Sequence, residues 1–197
     1  MAIVINGSGT VTGISVGGLP DGIVDAGTLA TNSVDSAELI DGSIDTAHIA
    51  TDQITSAILP AGSILQVVSA TYASSTSTTS SSLVDTGLTA TITPTSSDST
   101  ILIFATLSLF VTSTGGDTRI GANLLRDAAS VFEAAYIIRS NTGGHDKRIY
   151  AVNLEDSPAT TSATVYKMQF KQSLGSGTIY VSINSEPSSM ILMEVAG

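Results

Sequence analysis

Apolar residues recur along this chain at two intervals: every fifth position from Val24 to Leu59, then every second position in runs from Ile64 onward. The first interval belongs to a ten-residue repeat spanning 21–60, whose copies read DGIVDAGTLA, TNSVDSAELI, DGSIDTAHIA and TDQITSAILP. Its fourth position is β-branched and apolar (Val24, Val34, Ile44, Ile54), and its ninth is apolar again (Leu29, Leu39, Ile49, Leu59). The fifth is Asp25, Asp35, Asp45 and then Thr55, and the seventh is always small. Each unit holds only two or three buriable side chains, too few to offset its own ordering entropy. It must therefore bury them against neighbours or other chains. A period of ten excludes a coiled coil, and the collagen triplet is absent. An aspartate followed by small residues suits the cap of a single helical turn, and an extended strand bending at each DG or TN fits equally. In both cases three chains can point the two apolar positions at a shared axis. These eight residues are the expected core of a self-associating stalk.

Pro60, Ala61 and Gly62 break the pattern, so 61–63 reads as a hinge. From 64 to 197 the period is that of β-strands. The predicted strands are ILQVVSATY, VDTGLTATITP, STILIFATLSLFVT, RIGANLLRD, VFEAAYIIRS, KRIYAVNLE, ATVYKMQFKQ, TIYVSIN and SMILMEVA. In the third, Ile101, Ile103, Ala105, Leu107, Leu109 and Val111 share one face, while Leu102, Phe104 and Phe110 lie on the other. A strand apolar on both faces is covered on both, by a second sheet or by another subunit. Ser74 to Ser82, nine hydroxyl residues in a row, predict an exposed loop or a polar edge strand. Turn signals at TGGD, TGGH, DSP, GSG and EPSS separate the strands. The expected fold class is all-β: a jelly-roll-like sandwich preceded by an extended repeat stalk.

Charge changes the picture of partners. The first 117 residues contain ten acids and no lysine or arginine, whereas the remainder carries seven of each sign, so the net charge of −10 sits entirely in the N-terminal part. Such a chain repels phosphate backbones, and nucleic acid is not an expected partner. No apolar run reaches the ~20 residues of a membrane span, and membrane insertion is not expected. The opening MAIVINGSGTVTG lacks the basic start and apolar core of a secretory signal, which predicts synthesis in a cytoplasm and release by another route. There is no cysteine for a disulfide or thiolate site.

Candidate chemistry is sparse. His145 and Asp146 lie in SNTGGHDKR beside Arg139, Asn141, Lys147 and Arg148, and this stretch reads as a polar loop joining two strands. No G-x-S-x-G elbow occurs, and Glu155 and Asp156, as strand neighbours, point to opposite faces and cannot converge on a glycosidic bond. Two histidines about a hundred residues apart provide no metal-ligand spacing. No enzyme activity, metal or cofactor is expected.

Four segments in the C-terminal part, TGLTATITPTSSDSTILIFA, NLLRDAASVF, LEDSPATTSATVYKMQFK and INSEPSSMILMEVAG, resemble the heads of tail-fibre proteins of marine and cyanobacterial phages. They keep the family's order over most of 83–197, and INGSGTVTGISVGGLPDG is similar to the N-termini of that group. Thr100 departs from the pattern, standing where the family usually has lysine. The resemblance implies a homotrimer with a virion-docking segment at 1–20, a repeat stalk at 21–60 and a distal jelly-roll head akin to the tumour-necrosis-factor fold. Docking to another virion protein would then fall to Ile3, Ile5, Val11, Ile14 and Val16. The implied function is attachment to a host surface glycan or protein, with the protein located in the virion. Within that reading, the receptor-binding candidates are Arg139, Asn141, His145, Asp146, Lys147 and Arg148, repeated threefold for avidity. The alternative is a capsid decoration protein or head fibre, built from the same modules but seated on the capsid surface.

Overall fold

The computed structural model describes residues 44–45, 47–51, 53–55, 57–113, 116–140 and 144–197. The chain divides into one unit ending at Gln53 and another from Ile54 to Gly197. Most of the fourth repeat thus belongs with the head, although the sequence pattern groups it with the stalk. The expected stalk residues Val24, Leu29, Val34 and Leu39 lie outside the described residues, as do the expected docking residues Ile3, Ile5, Val11, Ile14 and Val16.

In the first unit, the Asp45 carbonyl accepts a hydrogen bond from the His48 backbone at 3.1 Å, and its carboxylate accepts one from the Ala47 backbone at 2.8 Å. His48 Nδ1 lies 2.8 Å from the same carboxylate. In the second unit the Ile58 N–H donates to the Thr55 carbonyl at 3.0 Å, and Thr55 holds the repeat position that Asp45 holds. The fifth residue therefore opens a reverse turn in both copies, and neither turn propagates into a helix. Of the apolar positions, Ile44, Ile49 and Ile54 are exposed on the single chain and Leu59 is half-buried.

The head comprises β1 (Ile64–Tyr72), β2 (Thr76–Thr78), β3 (Val84–Ile92), β4 (Thr100–Ser113), β5 (Thr118–Arg126), β6 (Ala129–Ser140), β7 (Gly144–Asp156), β8 (Thr164–Leu174), β9 (Gly177–Val181) and β10 (Ser188–Val195). One sheet runs β1-β10-β4, with β7 along the other edge of β4. The long β4 shares its first edge, pairing β10 over Thr100–Thr106 and β9 over Leu109–Ser113, with β2 beyond β9. The second sheet is β3-β8-β5-β6. The chain passes between the sheets repeatedly, and the order β1-β10-β4-β7 against β3-β8-β5-β6 is that of a jelly roll. All nine strands predicted from the sequence are present. The hydroxyl-rich run adds a short edge strand, β2, held by β9.

Alternation places the core. Ile101, Ile103, Leu107 and Leu109 of β4 face Tyr166, Met168 and Phe170 of β8 and Leu88 and Ile92 of β3, all fully buried. The opposite face of β4 is covered only in part: Phe104 is 41% exposed, whereas Leu102 and Phe110 are half-buried and Ser108 is buried. Residues 61–63, expected to act as a hinge, form a turn tied to the C-terminus: Gly62 N–H donates to Ala196 C=O at 2.8 Å and Ala196 N–H to Ser63 C=O at 2.9 Å.

Gly87 shows how local geometry is enforced. The β3–β8 register slips between Asp85 and Thr89, and Gly87 sits in that bulge at φ +96°. A Cβ there would come within 2.3 Å of the Tyr72 ring, whose hydroxyl meets Thr76 Oγ1 at 2.6 Å. Gly87→Ala meets both a left-handed backbone and a clash, and is expected to cost about 2–4 kcal/mol, read as a lowered urea midpoint.

Candidate functional site: an arginine–tyrosine cleft and an uncovered sheet face

The hairpin β5–β6 builds the first feature. Counting back from the Arg126–Ala129 pair at its turn would set Arg119 opposite Tyr136, but β6 carries extra residues at two irregularities. The shift brings Arg139 directly across from Arg119 and leaves Tyr136 beside them. Two like charges on opposed strand positions repel. Asp117 resolves the conflict: its Oδ2 accepts from Arg119 Nε and Nη2 at 3.0 and 2.7 Å, and its Oδ1 accepts from Arg139 Nε at 2.9 Å. Hydrogen bonding to Arg119, and then to Arg139, holds the Asp117 carboxyl below the usual aspartate range; the same aspartate raises the Arg119 guanidinium. Arg119 also lies over the Tyr136 ring, 4.9 Å from its centroid, a cation–π contact. With Ile137 and Ile138 these residues line an open cleft of about 340 Å³.

Of the five sequence candidates among the described residues, only Arg139 lines this cleft. It is the penultimate residue of strand β6, and His145, Asp146, Lys147 and Arg148 lie within strand β7, so these five candidates sit on strands rather than in the expected loop. Asn141 lies outside the described residues. Strand alternation then divides the remaining four. His145 stacks on Phe110 at 5.4 Å between ring centroids, and Lys147 pairs with Glu186, which also accepts from Ser108 Oγ at 3.1 Å. Asp146 and Arg148 point to the other face and pair at 3.3 Å. Sequence reasoning missed Asp117, Arg119 and Tyr136. A count from the hairpin turn sets Arg119 near Tyr136, but only the shifted register brings in Arg139.

The second feature is the outer face of the β1-β10-β4-β7 sheet. Register sets Phe104 beside Ile191, and Leu102 and Val67 on either side of Met193. Ile149 of β7, across from Ser108, extends the face and is 73% exposed. This contrasts with the outer face of the other sheet, where Lys167 and Gln169 bond Asp85, Asn123 bonds Gln169 and Lys171 pairs with Glu133. One outer face of the sandwich is largely polar, and the other presents Val67, Phe104, Ile149 and Ile191 to solvent among polar residues such as Asn153 and Glu155.

No protein-family model and no curated protein sequence matches the chain. Among solved structures, similarity extends to a structure of infectious bursal disease virus Gt strain (17% identity over 67% of this chain and 38% of that chain, TM-score 0.39). The VP2 subviral particle of the same virus gives 18% identity over 67% and 37%, TM-score 0.39. Latent dimeric PorU of Porphyromonas gingivalis gives 8% identity over 70% and 14%, TM-score 0.31. This chain spans less than two-fifths of the length of each of these structures. At such scores the similarities carry no argument about function.

Proposed function

We propose that this protein is a structural component of a phage virion, a homotrimeric fibre whose C-terminal head attaches the particle to the host cell surface. The observation that carries the reading is apolar surface left uncovered in both units. Ile44 and Ile49 of the repeats stand in water on a single chain, and so do Val67, Phe104, Ile149 and Ile191 of the head. Exposed large apolar side chains of this kind mark an association face, and repeats that hold too few buriable side chains to order alone favour a second copy as the occupant. The resemblance of the C-terminal segments to fibre heads supplies the number three and the virion. The N-terminal segment docks to another virion protein, and the head works by recognition without bond chemistry.

The alternative, a capsid decoration protein, draws on the shortness of the stalk: forty residues span at most ~130 Å even fully extended. Attachment is tested with the purified full chain. It is expected to bind host cells and to slow adsorption of the phage in a dose-dependent way. Saturating protein that leaves the adsorption rate unchanged would remove the attachment role.

A further inference from the structure

We propose that the Arg119–Tyr136–Arg139 cleft binds a carboxylate-bearing sugar residue, a uronic acid or a close relative, on the host surface glycan. The biological sense of this rests on the attachment reading; the chemistry rests on the cleft. Asp117 neutralises one of the two opposed arginines, so the cluster keeps one net positive charge on a chain of net charge −10. A lone cationic site on an acidic protein selects an anion by local contact, since the overall field repels it.

The shape of the site selects among anions. Asp117 engages Arg139 through Nε, and among the described residues no hydrogen bond occupies its terminal nitrogens. Those two N–H groups form a planar fork that fits the two oxygens of a carboxylate. Arg119 covers one face of the Tyr136 ring, but the residue is 61% exposed, which leaves the ring's other face to stack on the C–H face of a pyranose. Ile137 and Ile138 add apolar wall, and the cleft of about 340 Å³ is of single-sugar to disaccharide size. A phosphate or sulfate ion would use the fork and leave ring and wall unused. A neutral sugar would use the ring and leave the fork unpaired. A sugar acid uses all of them.

The test is calorimetric titration of the full chain with a glucuronic-acid-containing oligosaccharide, its methyl ester and inorganic phosphate. Binding of the acid is expected, weakened at least about tenfold by esterification, by Arg139→Gln and by Tyr136→Ala, with phosphate failing to compete at equal concentration. Equal binding of acid and ester, competition by phosphate, indifference to both substitutions, or no binding of the acid would each overturn the proposal. Esterification changes only the ligand, so that comparison does not depend on a variant folding. Host-cell binding separates this proposal from the one beneath it. Wild type and Arg139→Gln binding cells equally well would sink the sugar-acid site and leave attachment standing. Binding of the acid with no binding to cells would sink attachment and leave the site.

Discussion

Phe104→Asp is expected to convert the assembled protein into folded single chains. Phe104 belongs to no part of the sandwich core: it faces outward from β4 beside Ile191, while its neighbours Ile103 and Ala105 are buried. The substitution therefore leaves the core intact and acts on whatever covers the outer face. Removing a phenyl ring from a buried contact loses about 2–3 kcal/mol per chain. Burying a carboxylate there without a partner costs several kcal/mol more. A closed trimer takes that penalty three times over. Sedimentation velocity of the variant should show the mass of one chain with the sandwich's β-sheet circular dichroism retained, whereas Phe104→Leu should sediment as wild type. Phe104→Asp sedimenting as wild type would place the association face elsewhere.

Glu194 is expected to be the most sensitive polar position in the head. Its carboxylate is wholly buried at the end of the sandwich. Oε1 accepts from the Thr95 backbone at 2.6 Å and from the Thr95 and Ser99 hydroxyls at 2.7 Å each, and Oε2 accepts from Gln66 Nε2. The Gln66 amide also donates to the Thr93 carbonyl at 2.7 Å, so one carboxylate joins β1, β10 and the β3–β4 connection. Glu194→Ala leaves those donors without their acceptor and opens a cavity, at a cost of about 3–5 kcal/mol. Burial alone would raise the carboxyl's pKa, but the bonds from Gln66, Ser99 and Thr95 outweigh it and the pKa is lowered. The folded value then lies below the unfolded one. The stabilisation is complete above the unfolded value and is lost as pH falls through the folded one. Asp85 and Glu186, lowered chiefly by hydrogen bonds from Lys167 and Lys147, act in the same direction. Thermal melts should show a steep loss of wild-type Tm below pH ~4. Glu194→Gln should start lower at pH 7 and lose less on acidification. Parallel pH profiles for the two proteins would contradict this assignment.

The strands were legible because alternation survives wherever one face is buried. In β8, Tyr166, Met168 and Phe170 are core while Lys167, Gln169 and Lys171 face water, as the spacing of two requires. The 139–148 stretch misled for a physical reason. Among the described residues β7 pairs only with β4, and the charges at its start lie on the edge strand of the sheet. An edge strand tolerates polar residues on both faces, so HDKR reads as loop by composition although it pairs with β4 throughout. The cleft was hidden by register, since bulges in β6 decide that Arg139 rather than Tyr136 opposes Arg119. Glu194 did leave a signal: it follows Met190 and Leu192 at spacing two, an acid on a core face.

Cryo-electron microscopy of the phage with this chain labelled tests the proposed role most directly, because it reads position, copy number and symmetry together. A fibre should appear as a few threefold-symmetric copies at the tail, with the jelly-roll head outermost. Copies spread in tens to hundreds over the capsid would contradict the attachment fibre and favour the decoration protein.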